Sequence, residues 1–177
     1  DIKLSPDGSR LYVNTTRALV ELNVSRNLVV RSLEFAAGTS TIGITPDGLF
    51  AYVAGYSNDA VAVFSRDSDN GKLTFVEVIK DTDSGVDGLD GALNVALSSN
   101  GEHLYVTGYL DDAVVVFSRN SANGKLTFEQ VTKDTDSGVD GLNAARGLAL
   151  SLDGHHVYVT GQSDDAVVVF SRNSANG

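Results

Sequence analysis

Residues 111–124 read DDAVVVFSRNSANG, and residues 164–177 repeat that stretch without a change, 53 positions later. Residues 80–89 (KDTDSGVDGL) return at 133–142, again after 53. A looser copy, NDAVAVFSR, starts at Asn58. A second marker divides the chain more finely: SPDGSRLYV from Ser5, TPDGLFAYV from Thr45, SSNGEHLYV from Ser98 and SLDGHHVYV from Ser151, at spacings of 40, 53 and 53. Tandem self-similarity at this period is the sequence mark of a repeat architecture.

Each unit parses into four short strands. In the third unit, residues 95–98 form a first strand of small residues that ends at the Asn100-Gly101 turn. Residues 104–107 follow directly, and two strands joined by an Asn-Gly or Asp-Gly turn make a hairpin. A polar loop (108–112) leads to the β-branched run 113–117. A Gly-ended turn then opens the fourth strand, 125–131, where Leu126, Phe128 and Gln130 alternate with Thr127, Glu129 and Val131. No segment sustains a helical period. A four-stranded meander in tandem copies reads as a β-propeller blade. A solenoid would use shorter coils, and a sandwich has no need of near-identical units. The expected fold is therefore all-β: a propeller of four-stranded antiparallel blades at about residues 1–38, 39–91, 92–144 and 145–177. Small residues such as Gly43, Ala96 and Ala149 suit first strands that line a central channel.

The fourth unit contains three strands and stops at the turn before its fourth. A Val-rich third strand left unpaired would be an exposed edge. The reading is a partial ring, with the missing strand and blades supplied by the rest of a longer chain or by another copy. The opening, Asp1-Ile2-Lys3-Leu4-Ser5, reads as the middle of a folded segment without a signal peptide, so a leader could have been removed or left out.

The motif SPDG-x-x-LYV followed by a Val-rich strand resembles the YVTN-type propeller repeat of prokaryotic surface proteins. The longer units, with VFSRxSxxGKLTF, resemble blades of the lactonase-like seven-bladed propellers. The resemblance spans the whole chain, and a ring of seven blades implies roughly twice this length. It implies a fold and a choice between enzymes that open sugar lactones and members without catalytic activity. It carries no catalytic residue onto a matching motif here.

Composition narrows the chemistry. With no cysteine, the chain has no disulfide, thiolate metal site or Cys nucleophile. A formal net charge of -10 argues against nucleic acid and against an anionic membrane as partners. Blade topology sends the loops between second and third strands, and those between blades, to one end. There the acids gather: Asp59, Asp111, Asp112, Asp164 and Asp165, with the loop DTDSGVDGLD carrying Asp81, Asp83, Asp87 and Asp90 and its echo carrying Asp134, Asp136 and Asp140. Only Lys80, Lys133 and Arg146 oppose them. Alternating Asp residues on Gly-supported turns are one way to wrap oxygen ligands around Ca²⁺. The same residues serve solvated turns, so Asp81, Asp83, Asp87, Asp90, Asp134, Asp136 and Asp140 stand as candidate calcium ligands against that plainer role.

The Asp-Asp pairs recur one period apart (Asp111-Asp112 and Asp164-Asp165), which favours structure over acid–base catalysis. Arg66, Arg119 and Arg172 recur in Phe-Ser-Arg and read as blade-to-blade or turn hydrogen bonders. His103, His155 and His156 read as exposed turn residues. Arg146 differs, replacing Leu93 of the preceding unit at the channel mouth, and is the candidate for binding an anionic ligand group. Because an active site breaks repeat symmetry and these units break it little, the leading expectation is a non-catalytic scaffold or ligand-binding platform at a prokaryotic cell surface or outside the cell, possible Ca²⁺ included. The alternative is a lactonase-like hydrolase whose active site lies largely outside this segment.

Overall fold

A computed structural model describes residues 1–15, 18–26, 28–34, 38–83 and 85–177. Its strands form four successive antiparallel meanders. The first holds β1 (Ile2–Leu4), β2 (Arg10–Asn14), β3 (Ala18–Asn23) and β4 (Leu28–Glu34). The second holds β5 (Thr39–Ile44), β6 (Phe50–Gly55), β7 (Ala60–Arg66) and β8 (Leu73–Lys80). The third holds β9 (Ala92–Leu97), β10 (His103–Gly108), β11 (Ala113–Arg119) and β12 (Leu126–Lys133). The last has three strands, β13 (Ala145–Leu150), β14 (His156–Gly161) and β15 (Ala166–Ser171). This is the expected propeller of four-stranded blades, the fourth lacking its outer strand.

The SPDG marker earns its recurrence at the first turn of each blade. The Ser5 hydroxyl donates to Asp7 Oδ1 (2.5 Å) and accepts from the Arg10 amide (3.0 Å). Ser98 with Asn100 and His103 repeats this arrangement, as does Ser151 with Asp153 and His156. The glycine that follows sits at positive φ, +69° at Gly8 and +71° at Gly101, where a side chain is strained. These hydrogen bonds hold Asp7 well below the usual carboxylate range, at about 2, with the Ser5 hydroxyl the largest cause. Strands run further than the alternation suggested: β9 begins three residues before Val95, and β11 reaches Arg119. Ladder pairing extends them, because β10 matches β11 from His103↔Ser118 to Gly108↔Ala113.

Blades stack through apolar faces. Tyr52, Val61 and Val63 of the second blade meet Val95, Leu104, Val106, Val115 and Phe117 of the third, with Leu89 from the connecting loop closing the end. Tyr105, Val114 and Val116 meet Val157 and Val159 in the same way across the next interface. Gly108 marks how close the backbones come: a Cβ there would lie 2.0 Å from the Gly88 carbonyl oxygen.

At the opposite edge from the acidic loops, a polar clasp crosses each interface. Tyr12 is fully buried, and its hydroxyl donates to Gly71 O (3.0 Å) while accepting from Arg66 Nε (2.7 Å). Arg66 Nη1 also donates to Gly48 O (3.0 Å) in its own blade. One interface on, Tyr52 donates to Gly124 O (2.8 Å), and Arg119 Nε donates to Gly101 O. At the third, Arg172 Nε donates to Tyr105 Oη (2.6 Å) and its Nη1 to Gly154 O (3.1 Å). Burial raises all three tyrosine pKa values, so the hydroxyls stay protonated. The repeated Phe-Ser-Arg therefore has a role in joining blades.

His103 departs from the exposed turn position expected for it. It is 3% exposed, and its Nδ1 accepts from Arg172 Nη2 (2.9 Å) across the blade interface. Sequence placed it at a turn, but β10 starts on it and the next blade covers it.

Candidate functional site

Two polar regions stand apart from the packing. One is the channel wall, formed by the innermost strands β1, β5, β9 and β13. A cavity of about 450 Å³ lies along it, lined among others by Asp1, Lys3, Thr41, Asn94 and Ser99. One register position recurs around this wall, as Asp1, Thr41, Asn94 and Gly147, at spacings of 40, 53 and 53. At this position the four blades carry four different residues.

Two of these side chains bind the wall together. Asp1 Oδ2 accepts from the Ile42 amide (3.0 Å). Thr41 Oγ1 accepts from the equivalent Val95 amide (2.9 Å) and donates to Leu93 O (3.2 Å). The Asn94 side chain, half-buried in the same wall, makes no hydrogen bond among the described residues. Its own amide is held by Thr107 Oγ1 (3.1 Å), which donates onward to Arg146 O (3.2 Å) in the fourth blade. Arg146 is exposed at the start of β13, with Nη1 donating to Gln162 Oε1 (2.6 Å). Its guanidinium keeps further donors for an anion.

The second region is the acidic rim. Carboxylate oxygens of Asp81, Asp87 and Asp111 lie within 4.8 Å of one another, and Asp134, Asp140 and Asp164 form the same group one blade on. Asp111 and Asp164, which the sequence had assigned to the rim but not to the ligand set, come in from the loop between the second and third strands. Asp83 and Asp136 lie outside both groups and cap strand ends, accepting from the Lys80 and Lys133 amides (both 2.8 Å). Asp90 is also outside them; burial and the neighbouring carboxylates of Asp59 and Asp111 push its pKa up.

Most of these acids have backbone partners. Asp81 Oδ1 accepts from the Leu89 amide (2.7 Å), and Asp134 Oδ1 from Leu142 (2.6 Å). Asp111 Oδ2 accepts from Asp90 N, and Asp112 Oδ1 from Ala144 N. Asp59, Asp112 and Asp165 have φ near +50°, a conformation Asp tolerates, which accounts for one acid of each recurrent pair. In the first group Lys133 supplies the positive charge: its Nζ lies 2.9 Å from Asp87 Oδ1 and 3.2 Å from Asp111 Oδ1. Its hydrogen bond to Asp87 is the largest cause of its raised pKa. Sequence could have paired Lys133 with these acids only by knowing that the end of a fourth strand lies beside the loop of its own third strand.

A run of near-identical four-stranded meanders defines a class, the repeat β-propellers. Within it, the family described as lactonase, 7-bladed β-propeller matches residues 11–83 and 45–177, and the chain belongs to that family. Among solved structures, the periplasmic gluconolactonase PpgL of Pseudomonas aeruginosa superposes with a TM-score of 0.82 at 24% identity, covering 99% of this chain and 50% of that one. A protein from Lactobacillus plantarum superposes with a TM-score of 0.82 at 26% identity, over 100% of this chain and 52% of its own. An uncharacterized protein of Lactococcus lactis subsp. cremoris is 23% identical over 81% of this chain and 40% of its own length. The chain thus spans about half the length of the solved structures it matches. No helix among the described residues is long and apolar enough to cross a membrane.

Proposed function

We propose that this chain is part of a propeller that hydrolyses a sugar lactone, in preference to a non-catalytic scaffold, and that groups of its channel wall take part in a site the sequence reading had put largely outside this segment. The observation that carries the proposal is the family match across residues 11–83 and 45–177. The Pseudomonas relative, a gluconolactonase, supplies the substrate class. The periplasmic location of that same relative supports a site of action outside the cytoplasm.

In lactone hydrolysis, water oxygen adds to the carbonyl carbon, negative charge gathers on the carbonyl oxygen, and the ring C–O bond then breaks. The ring oxygen takes a proton, and the product is the open hydroxy acid. Three groups of the channel wall suit these demands. The Asn94 carboxamide offers an uncommitted N–H for the developing oxyanion. Asp1, the carboxylate among the described cavity-lining residues, takes the proton from water. Arg146, at the mouth, holds an anionic substituent of the substrate such as a phosphate.

The test follows acid release at constant pH with glucono-δ-lactone and with its 6-phosphate. Turnover above spontaneous ring opening is expected. Arg146→Ala should raise KM for the phosphorylated lactone by about tenfold, the equivalent of one lost charge-assisted contact. It should change KM little for the unphosphorylated one. Rates no greater than spontaneous opening with both lactones refute the proposal.

A further inference from the structure

Side-chain oxygens close the seams between first strands, but the strand that supplies them changes from seam to seam. Between the second and third blades the group is Thr41 of β5: its Oγ1 accepts from the Val95 amide (2.9 Å) and donates to Leu93 O (3.2 Å). One blade on, the equivalent first-strand residue is Asn94 and the equivalent carbonyl is that of Arg146. Asn94 does not bridge this seam. The group that reaches Arg146 O (3.2 Å) is Thr107 Oγ1, from the second strand β10, which also accepts from the Asn94 amide (3.1 Å). The second blade has no such option, because Ala54 stands where the third has Thr107. In the fourth blade Thr160 holds that position, and its Oγ1 accepts from the Gly147 amide (2.7 Å) in the same way.

This swap changes what faces the channel. The Thr41 hydroxyl is held on both its donor and its acceptor side. The Asn94 carboxamide, relieved of the seam, lines the cavity half-buried and without a hydrogen bond among the described residues. Thr107 is itself fully buried, so its hydroxyl acts on neighbouring protein groups and on no ligand. We infer that Thr107 is a positioning residue of the channel wall: it closes the seam in place of Asn94, leaves that carboxamide for a polar ligand, and ties the Asn94 backbone to that of Arg146. A carboxamide offers two N–H donors and an acceptor oxygen, which suits the carbonyl and hydroxyls of a sugar lactone. The choice of that ligand rests on the function proposed above; the positioning does not.

Joining blades is the plainer role for Thr107, and by itself it entails only a loss of stability when the hydroxyl goes. Positioning entails more. Beside Ala54 the first-strand side chain bridges the seam, so Thr107→Ala should make residue 94 do the same. Asn94 Nδ2 should then turn from the cavity and donate to Arg146 O, as Thr41 Oγ1 donates to Leu93 O.

Two arms test this. The first follows hydrogen exchange at the Asn94 side-chain amide by NMR, its signal assigned by its loss in Asn94→Ala. Exchange close to the rate of a solvated amide is expected in the parent, and exchange roughly tenfold slower in Thr107→Ala. Thr107→Ser keeps the hydroxyl and should match the parent. An Asn94 amide already protected in the parent, or one whose exchange Thr107→Ala leaves unchanged, overturns the inference. The second arm measures ring opening of glucono-δ-lactone. Thr107→Ala should lower kcat about tenfold, part of the hundredfold or more that a lost oxyanion donor costs, with KM held within about twofold. Thr107→Ser should recover most of that loss. In an Asn94→Ala background Thr107→Ala should lower kcat no further, because groups that act as a unit do not add. A further loss of about tenfold in that background leaves Thr107 a structural part alone and overturns the inference. Ala54 indicates that a blade accepts alanine here; should Thr107→Ala unfold, Thr107→Val, which keeps the branched side chain, takes its place in both arms. A parent without turnover refutes the lactone reading alone, and the exchange arm then decides the role of Thr107.

Discussion

Replacing Tyr12 by Phe keeps the buried ring and removes one oxygen atom. That oxygen accepts from Arg66 Nε at 2.7 Å and donates to Gly71 O at 3.0 Å. Tyr12 is 0% exposed and Arg66 5%, so water does not readily replace the lost partner. A buried group left unsatisfied costs about 1–3 kcal/mol, with charged donors toward the upper end. Two such groups put the expected loss at about 2–6 kcal/mol. For a chain of this size each kcal/mol lowers the melting temperature by about 2–4 °C, so the variant should melt roughly 4–24 °C lower. Arg66→Met removes the other half of the clasp, and the double variant should be less unstable than the sum of the singles by about 1–3 kcal/mol, as for residues in one network. The assay is urea unfolding followed by circular dichroism for the parent, both singles and the double. A Tyr12→Phe loss below about 0.5 kcal/mol, or additivity within about 0.3 kcal/mol, refutes the view that this hydroxyl joins the blades.

Two further outcomes follow from the same geometry. Burial, and then the Arg172 guanidinium, lower the pKa of His103 from its ordinary 6.5. The unfolded chain therefore takes up this proton first, and stability should fall as pH drops below 6.5 toward the folded value, by up to about 1.4 kcal/mol per pH unit. His103→Gln should flatten that slope in pH-dependent urea melts, and an unchanged slope assigns it to other groups. Lys133→Gln removes the ammonium between Asp87 and Asp111 and should cost about 0.5–1 kcal/mol, because both acids are partly exposed. If these carboxylates can hold calcium, millimolar Ca²⁺ should then raise the variant's melting temperature more than the parent's. A variant indifferent to Ca²⁺ removes the calcium expectation from this group.

The relation between sequence and structure is clearest in the repeated residues. Ser5, Asp7 and Gly8 act within one hairpin, so their motif reads directly as a turn. Arg66 and Tyr12 are 54 residues apart and meet only because adjacent blades stack. The repeat announced that both recur but not that they touch. His103 was misplaced for the same reason: local polarity suggested a surface turn, while burial came from the following blade. On the rim, the spacing of Asp81 and Asp87 suggested a loop that closes on itself. In the structure Asp111 joins them, and Asp83 turns back to its own strand end.

The sequence alone determined the fold, because a meander is local: its turns, alternation and blade period are all written within about fifty residues. Tertiary structure decided which repeated residues face one another across blades, since those contacts join groups one period apart and depend on how the sheets stack. It decided as well what lies along the channel wall. Asp1, Thr41, Asn94 and Gly147 share one repeat position in the sequence, but only the packing of the first strands sets Asp1, Thr41 and Asn94 along one cavity.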